Sequence, residues 1–220
     1  MKEKAKRNLT FGAALVAVFA LWTALIQCVD VQPVGQNGTE IGFASFNTWF
    51  HELTGVHMGL YAVTDWLGLV PMLVCIAFGV VGLVQLIKRR SLIKVDMDII
   101  LLGVYYVAVI AAYLVFEMIP INYRPILIEG VMEASYPSST TLLVLSVMPT
   151  LKFQIDRRTP RADFRTLSNA FVTLFSAFMV IGRLVSGVHW FTDILGALFL
   201  SAGLFLLYSG AVALTDKESR

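Results

Sequence analysis

Residues 166–215 read TLSNAFVTLFSAFMVIGRLVSGVHWFTDILGALFLSAGLFLLYSGAVALT, and only Arg183, His189 and Asp193 in that stretch carry, or in the case of histidine can take up, a charge near neutral pH. On either side of these three lies an uncharged run near the ~17–25 residues that cross a bilayer. A chain in hydrocarbon must satisfy its own backbone hydrogen bonds, so both runs are expected as helices despite their Val, Ile and Phe content. Charge at the junction of two such helices is costly unless it serves something.

The rest of the chain repeats the pattern. Further uncharged runs lie between Arg7 and Asp30, Asp65 and Lys88, Asp98 and Glu117, and Glu133 and Lys152. The composition, 57% hydrophobic and 15% charged over 220 residues, is more apolar than the ~45–50% of soluble domains. The expectation is an all-α, polytopic membrane protein with six transmembrane helices in one domain, residues 1–220, with the active site at the outer helix ends. The first run has the basic start of a signal peptide, but its length and Gln27 before Cys28 favour a retained span. A net charge of +2 with no aromatic-interleaved basic patch argues against a nucleic-acid partner and leaves the lipid bilayer as the environment.

Basic residues orient the spans. Lys2, Lys4, Lys6 and Arg7 precede the first; Lys88, Arg89, Arg90 and Lys94 follow the second. Lys152, Arg157, Arg158, Arg161 and Arg165 follow the fourth, and Lys217 and Arg220 end the chain. With six spans these groups share one side, cytoplasmic by the positive-inside rule, with both termini inside. Arg124 and Arg183 then stand alone on the outer side, as candidates for holding an anion. The outer segment, about 30–64, carries Phe43, Phe46, Trp49, Phe50, Leu53 and Val56 at near-helical spacing, as a helix lying in the interface would. Pro71 and Pro149 predict kinks or a helix end. Cys28 and Cys75 sit in apolar runs and read as buried thiols.

Three outer stretches carry chemistry. If a helix begins near His189, Asp193 lies four residues on along the same face, where its carboxylate can accept one ring N–H and leave the other nitrogen free. Arg183 can fold back across the Ser186-Gly187 turn to offer a forked guanidinium to phosphate. In Tyr136 to Thr141, Pro137 suits a helix start, and Ser138, Ser139 and Thr140 are N-capping types whose free backbone N–H groups favour an anion. Glu117 to Pro125 (Glu-Met-Ile-Pro-Ile-Asn-Tyr-Arg-Pro) supplies the second arginine. No cluster of metal-ligating types has a credible geometry, and arginines take over the neutralisation of charge.

In order and spacing these stretches resemble the type 2 phosphatidic acid phosphatase family, whose signature is Lys-x6-Arg-Pro, Pro-Ser-Gly-His and Ser-Arg-x5-His-x3-Asp. Arg124-Pro125 matches the end of the first motif, Pro137-Ser138 the start of the second, and Arg183, His189 and Asp193 the charged part of the third. The resemblance implies a metal- and cofactor-independent membrane enzyme acting on a lipid phosphate. His189 would attack phosphorus to form a phosphohistidine and Asp193 would orient it. Arg124, Arg183 and the Ser138-Ser139-Thr140 region would hold the phosphate oxygens.

Four positions depart from the signature. Glu117 stands for the lysine, Ser139 for the glycine, Thr140 for the histidine and Gly182 for the serine. The histidine is the residue that in the family protonates the leaving oxygen, a contribution of roughly a hundredfold to ten-thousandfold for a general acid. An active enzyme would then use a leaving group that needs no proton, such as the monophosphate expelled from a polyprenyl pyrophosphate, or another donor: Glu117, His51 or His57. The alternatives are a head-group phosphotransferase and a lipid-phosphate-binding protein with little turnover. No discontinuous-helix repeat supports a transporter.

Overall fold

The two most intimately packed helices come from opposite ends of the chain. A computed structural model describes residues 2–215, in which α1 (Lys2–Ile26) lies along α8 (Phe191–Thr215) in the most extensive helix pairing of the fold. Glycines allow the approach. A Cβ on Gly12 would meet the Gly203 carbonyl oxygen at 2.9 Å, one on Gly203 the Val16 nitrogen at 3.1 Å, and one on Gly210 the Leu9 nitrogen at 3.1 Å. Small residues at such a seam bring backbones into van der Waals contact, the main source of helix association in lipid.

Between them run α2 (Ala44–Thr54), α3 (Met58–Leu67), α4 (Leu69–Arg89), α5 (Met97–Met118), α6 (Ser139–Arg158) and α7 (Ala162–Val185). Isolated bridges replace strands among the described residues. Among the described residues five helical paths are long and apolar enough to cross a membrane: Lys2–Ile26, Met58–Arg89, Met97–Met118, Ala162–Val185 and Phe191–Thr215. The chain is therefore a multi-pass membrane protein. The second path is α3 and α4 together, broken at Gly68, three residues before Pro71, which has no N–H to extend the ladder. It begins at Met58, so Asp65, expected to bound the span, lies inside a helix.

The sixth expected span is α6, which is too polar to qualify with these five. It packs instead at the centre of the fold, against α4, α5, α7 and α8. Its Thr150 and Gln154 side chains meet partners there, Tyr106 Oη pairing with Thr150 Oγ1 (2.7 Å) and Gln154 donating to Tyr208 Oη (2.6 Å), and Tyr105 Oη donates to the Ser146 backbone carbonyl (2.8 Å). Satisfied this way, a polar helix is stable where a lipid-facing one would not be. The helix continues to Arg158, so Pro149 does not end it. Toward the outside the pattern inverts: Leu73, Ile76 and Ile87 on α4 and Val104 and Val107 on α5 are exposed, as lipid-facing side chains are.

One end of the bundle gathers charge. Asp98 is buried between Arg157 (3.2 Å) and Arg158 (2.8 Å), Arg89 pairs with Asp96 (2.7 Å), and Arg165 with Asp156 (3.1 Å). Lys4 lines a cavity there with Lys152 and Arg157. The expected cluster of Lys217 and Arg220 lies outside the described residues. The opposite end holds the candidate site. There the expected interfacial helix is α2, with Trp49 and Leu53 exposed and Asn47 fully buried, its amide donating to Thr192 Oγ1 at the start of α8 (3.0 Å). Cys28, read as buried, is exposed, because α1 stops at Ile26 and Cys28 falls on the turn beyond; Cys75 is partly buried.

Candidate active site

The segment joining α5 and α6 folds as a two-armed loop. Its arms pair through Arg124 N–H to the Glu133 carbonyl (3.0 Å) and Ser135 N–H to the Asn122 carbonyl (2.9 Å), and it turns at Glu129 and Gly130, both at positive φ. It is clamped to the α7–α8 corner. Trp190 Nε1 donates to the Tyr123 carbonyl (2.8 Å) and Asn122 Nδ2 to Asp193 Oδ1 (3.2 Å). Arg124 is thereby carried to the same place as Arg183.

The α7–α8 corner supplies the rest. Helix α7 ends at Val185, Ser186 Oγ donates to the Arg183 carbonyl (2.8 Å), and Gly187 turns the chain at φ 73°. A Cβ at Gly187 would stand 2.2 Å from the Gly55 carbonyl oxygen, so only glycine permits the α2–α3 link to press on this turn. Helix α8 begins at Phe191, after His189 rather than at it. The Asp193 carboxylate therefore serves its first turn, with Oδ2 accepting from Trp190 N–H (2.9 Å).

His189 is 3% exposed. Its Nδ1 lies 3.2 Å from the Ser135 carbonyl and 3.7 Å from Asp193 Oδ2. The expected hydrogen bond from ring to carboxylate is thus taken by a backbone carbonyl, with Asp193 just behind, because the loop brings Ser135 nearer than the helix brings the carboxylate. A carbonyl only accepts, so Nδ1 carries the proton; Nε2 lies 3.3 Å from Arg183 Nη2, which only donates, so it presents a lone pair. Burial first, then the charges of Arg183 and Arg124, hold the His189 pKa well below the usual histidine value, against the pull of the Ser135 carbonyl.

Both arginines are buried, Arg183 at 1% exposure and Arg124 at 8%, and both guanidinium groups stand over the Tyr61 ring, at 4.9 and 5.9 Å from its centroid. The ring face favours cations. Asp65 Oδ1 is 3.6 Å from Arg183 Nη1, and Glu133 Oε2 is 3.0 Å from Arg124 Nε. Among the described residues Arg183 Nε and Nη1 and Arg124 Nη1 nonetheless have no hydrogen-bond acceptor. Buried donors without an acceptor are costly, and those of Arg183 belong to the guanidinium whose Nη2 meets the free nitrogen of His189.

The remaining sequence candidates divide. Ser138 is fully buried and already used: its N–H donates to the Asp193 carbonyl (3.2 Å) and its hydroxyl to Thr141 Oγ1 (3.0 Å). Ser139 and Thr140, partly buried, lie in the first turn of α6, where their N–H groups have no acceptor among the described residues. Glu117 is exposed near the end of α5, in a cleft with Ser135 and Ser139, and makes no contact with either arginine. At Gly182 a Cβ would stand 2.7 Å from the Thr64 methyl, so α3 occupies the space a serine side chain needs. His51 Nε2 bonds the Gly187 carbonyl (3.1 Å) and His57 Nε2 the Thr54 carbonyl (2.8 Å). Tyr61, Asp65, Glu133, Ser135 and Asn122 were not among the sequence candidates.

A family model described as the PAP2 superfamily matches residues 74–215. That span includes Arg124, the start of α6 and the α7–α8 corner, and leaves out α1, α2 and α3. Among solved structures, a transmembrane PAP2-type phosphatidylglycerolphosphate phosphatase from Bacillus subtilis superposes with a TM-score of 0.64 at 17% identity, covering 95% of this chain and 97% of that one. At that identity the likeness concerns the fold. No curated protein matches the chain significantly.

Proposed function

Because the chain belongs to the PAP2 superfamily, we propose that it is a membrane lipid phosphatase that works without a metal ion, through a phosphohistidine on Nε2 of His189. The observation that carries this reading is the set of buried, unpaired guanidinium N–H groups of Arg183 and Arg124 beside a deprotonated Nε2. They are placed to take the oxygens of a phosphoryl group and to stabilise the charge spread over them during transfer. The Ser139 and Thr140 amides at the start of α6 add further donors. Ser135 fixes the tautomer, and the Asp193 carboxylate offsets the charge that develops on the ring as it is phosphorylated.

In this reading Nε2 attacks phosphorus, the lipid alcohol or phosphate leaves, and water cleaves the P–N bond to regenerate the enzyme. The site faces the extracytoplasmic side, since the basic residues gather at the other end of the bundle. The substrate is a lipid phosphate or pyrophosphate whose head group reaches this rim from the bilayer.

The test is phosphate release by the purified protein in detergent from phosphatidic acid, a polyprenyl pyrophosphate and 4-nitrophenyl phosphate, with a chelator present. Acid-labile, base-stable phosphate should be trapped on the wild type and absent from His189→Ala, with turnover lost. Undiminished turnover by His189→Ala would overturn the mechanism.

A further inference from the structure

Resting on that reading, we propose that Asp65 is the catalytic proton donor to the leaving oxygen. An alkoxide expelled from a phosphate ester needs a proton, and the groups able to supply one can be taken in turn. The only proton on His189 is held at Nδ1 by the Ser135 carbonyl, on the far side of the ring from the reaction. Asp193 is fully buried behind that ring and held by Asn122 and Trp190. Both outer-segment histidines, His51 and His57, bond backbone carbonyls through Nε2. Glu133 is bound to Arg124 through its carboxylate and its backbone carbonyl, and Glu117 touches neither arginine. A threonine hydroxyl at position 140 is far too weak an acid.

Among the carboxylates Asp65 remains, and its placement fits. Its carboxylate lies 3.6 Å from Arg183 Nη1, the guanidinium whose other terminal nitrogen touches His189, and its side chain is 58% exposed, so it reaches the mouth of the site. Its backbone also lies near position 140. The point that a Cβ on Gly68 would occupy is 2.8 Å from the Asp65 carbonyl oxygen and 3.7 Å from Thr140 Cγ2. The last turn of α3, which carries Asp65, thus packs through Gly68 against the first turn of α6, where Thr140 leaves the site without an acidic side chain.

The proton comes with the substrate. A phosphate monoester loses its second proton at a pKa of about 6, so part of it arrives as the monoanion. Asp65 relays that proton, accepting it from the phosphoryl oxygen in step with its delivery to the leaving oxygen. As the P–O bond to the lipid breaks and the P–N bond to His189 forms, Asp65 passes the proton to the leaving oxygen, giving a neutral alcohol. The carboxylate so restored then accepts a proton from the water that attacks the phosphohistidine, and releases it with the inorganic phosphate.

The experiment compares two phosphate monoesters on the full-length protein in detergent, phosphatidic acid, whose alkoxide needs the proton, and 4-nitrophenyl phosphate, whose leaving group does not. Asp65→Asn should lower kcat/KM on phosphatidic acid by about a hundredfold or more and on the aryl ester by less than about tenfold, so that the ratio of the two moves by at least about tenfold. Turnover of the aryl ester also shows that the variant is folded. Equal losses on both esters would mean that Asp65 acts only by placing Arg183, and an unchanged phosphatidic acid rate that it does nothing; either overturns the proposal while leaving the phosphatase reading intact. If the wild type hydrolyses neither ester, the role of Asp65 is overturned, and the phosphatase reading falls as well only where the polyprenyl pyrophosphate is also left intact.

Discussion

Arg183 Nη2 and His189 Nε2 face one another at 3.3 Å, both nearly excluded from solvent. Such a pairing is unfavourable if the ring is protonated, since two cations would then share a buried site, and favourable if the ring is neutral and accepts. The contact therefore keeps the histidine neutral, and the guanidinium that does so also carries unpaired donors for an incoming anion.

A first consequence is a shifted pH profile. With its pKa held well below the usual ~6.5, His189 stays neutral in the folded protein at pH values where the unfolded chain already binds a proton. Stability at this group therefore falls as pH drops below about 6.5, and the acid limb of kcat/KM lies lower than an ordinary histidine would set it. Arg124→Gln removes one of the charges responsible, so it should raise the His189 pKa and move the acid limb to higher pH. Substrate ionisation is common to both proteins, so the difference between their profiles belongs to the enzyme. Coincident acid limbs would show that Arg124 does not act on the ring.

The second concerns sidedness, and the chain carries its own probe. Cys28 is exposed just beyond α1 at the end that holds the site, while Cys75 is partly buried within α4. With the site on the extracytoplasmic face, a membrane-impermeant maleimide should label intact cells, and Cys28→Ser should abolish that labelling. Labelling only after the cells are opened would reverse the orientation.

What the sequence revealed, and what it hid, follow from how each residue acts. Arg183, His189 and Asp193 were legible because charge is conspicuous in an apolar run. Ser135 was not, because it works through its backbone carbonyl, which every residue has. Tyr61 and Asp65 lay in a stretch that read as an outer segment up to residue 64 and a span boundary. Only the fold turns α3 toward Arg183. Helix α6 was found by its lack of charge, yet its Thr150 and Gln154 imply a central position that no count of apolar residues can supply, since their partners on α5 and α8 come from distant sequence.

A third prediction tests the α1–α8 seam. Gly203→Leu forces a side chain against Val16 and the Gly12 backbone and should cost about 1–3 kcal/mol, as overpacking does. Gly79→Leu, where a Cβ meets nothing within 4 Å, should be nearly neutral. Thermal unfolding in detergent compares them, and equal midpoints would mean that the close approach of α1 and α8 contributes little.

The last prediction asks whether positions 65 and 140 answer the same chemical need. If Asp65 supplies the leaving-group proton, a histidine introduced at 140, beside Gly68, offers a second donor at nearly the same place. Thr140→His should then gain little on phosphatidic acid in the wild-type background, where a donor is already present. In the Asp65→Asn background the same change should recover much of the roughly hundredfold loss, so that the two substitutions are strongly non-additive. The aryl ester, indifferent to the proton, should show no such coupling. If Thr140→His raises phosphatidic acid turnover by the same factor in both backgrounds, the two positions act independently, and the departure at Thr140 reflects a leaving group that needs no acid, such as a lipid pyrophosphate's, rather than a carboxylate that has taken over the task.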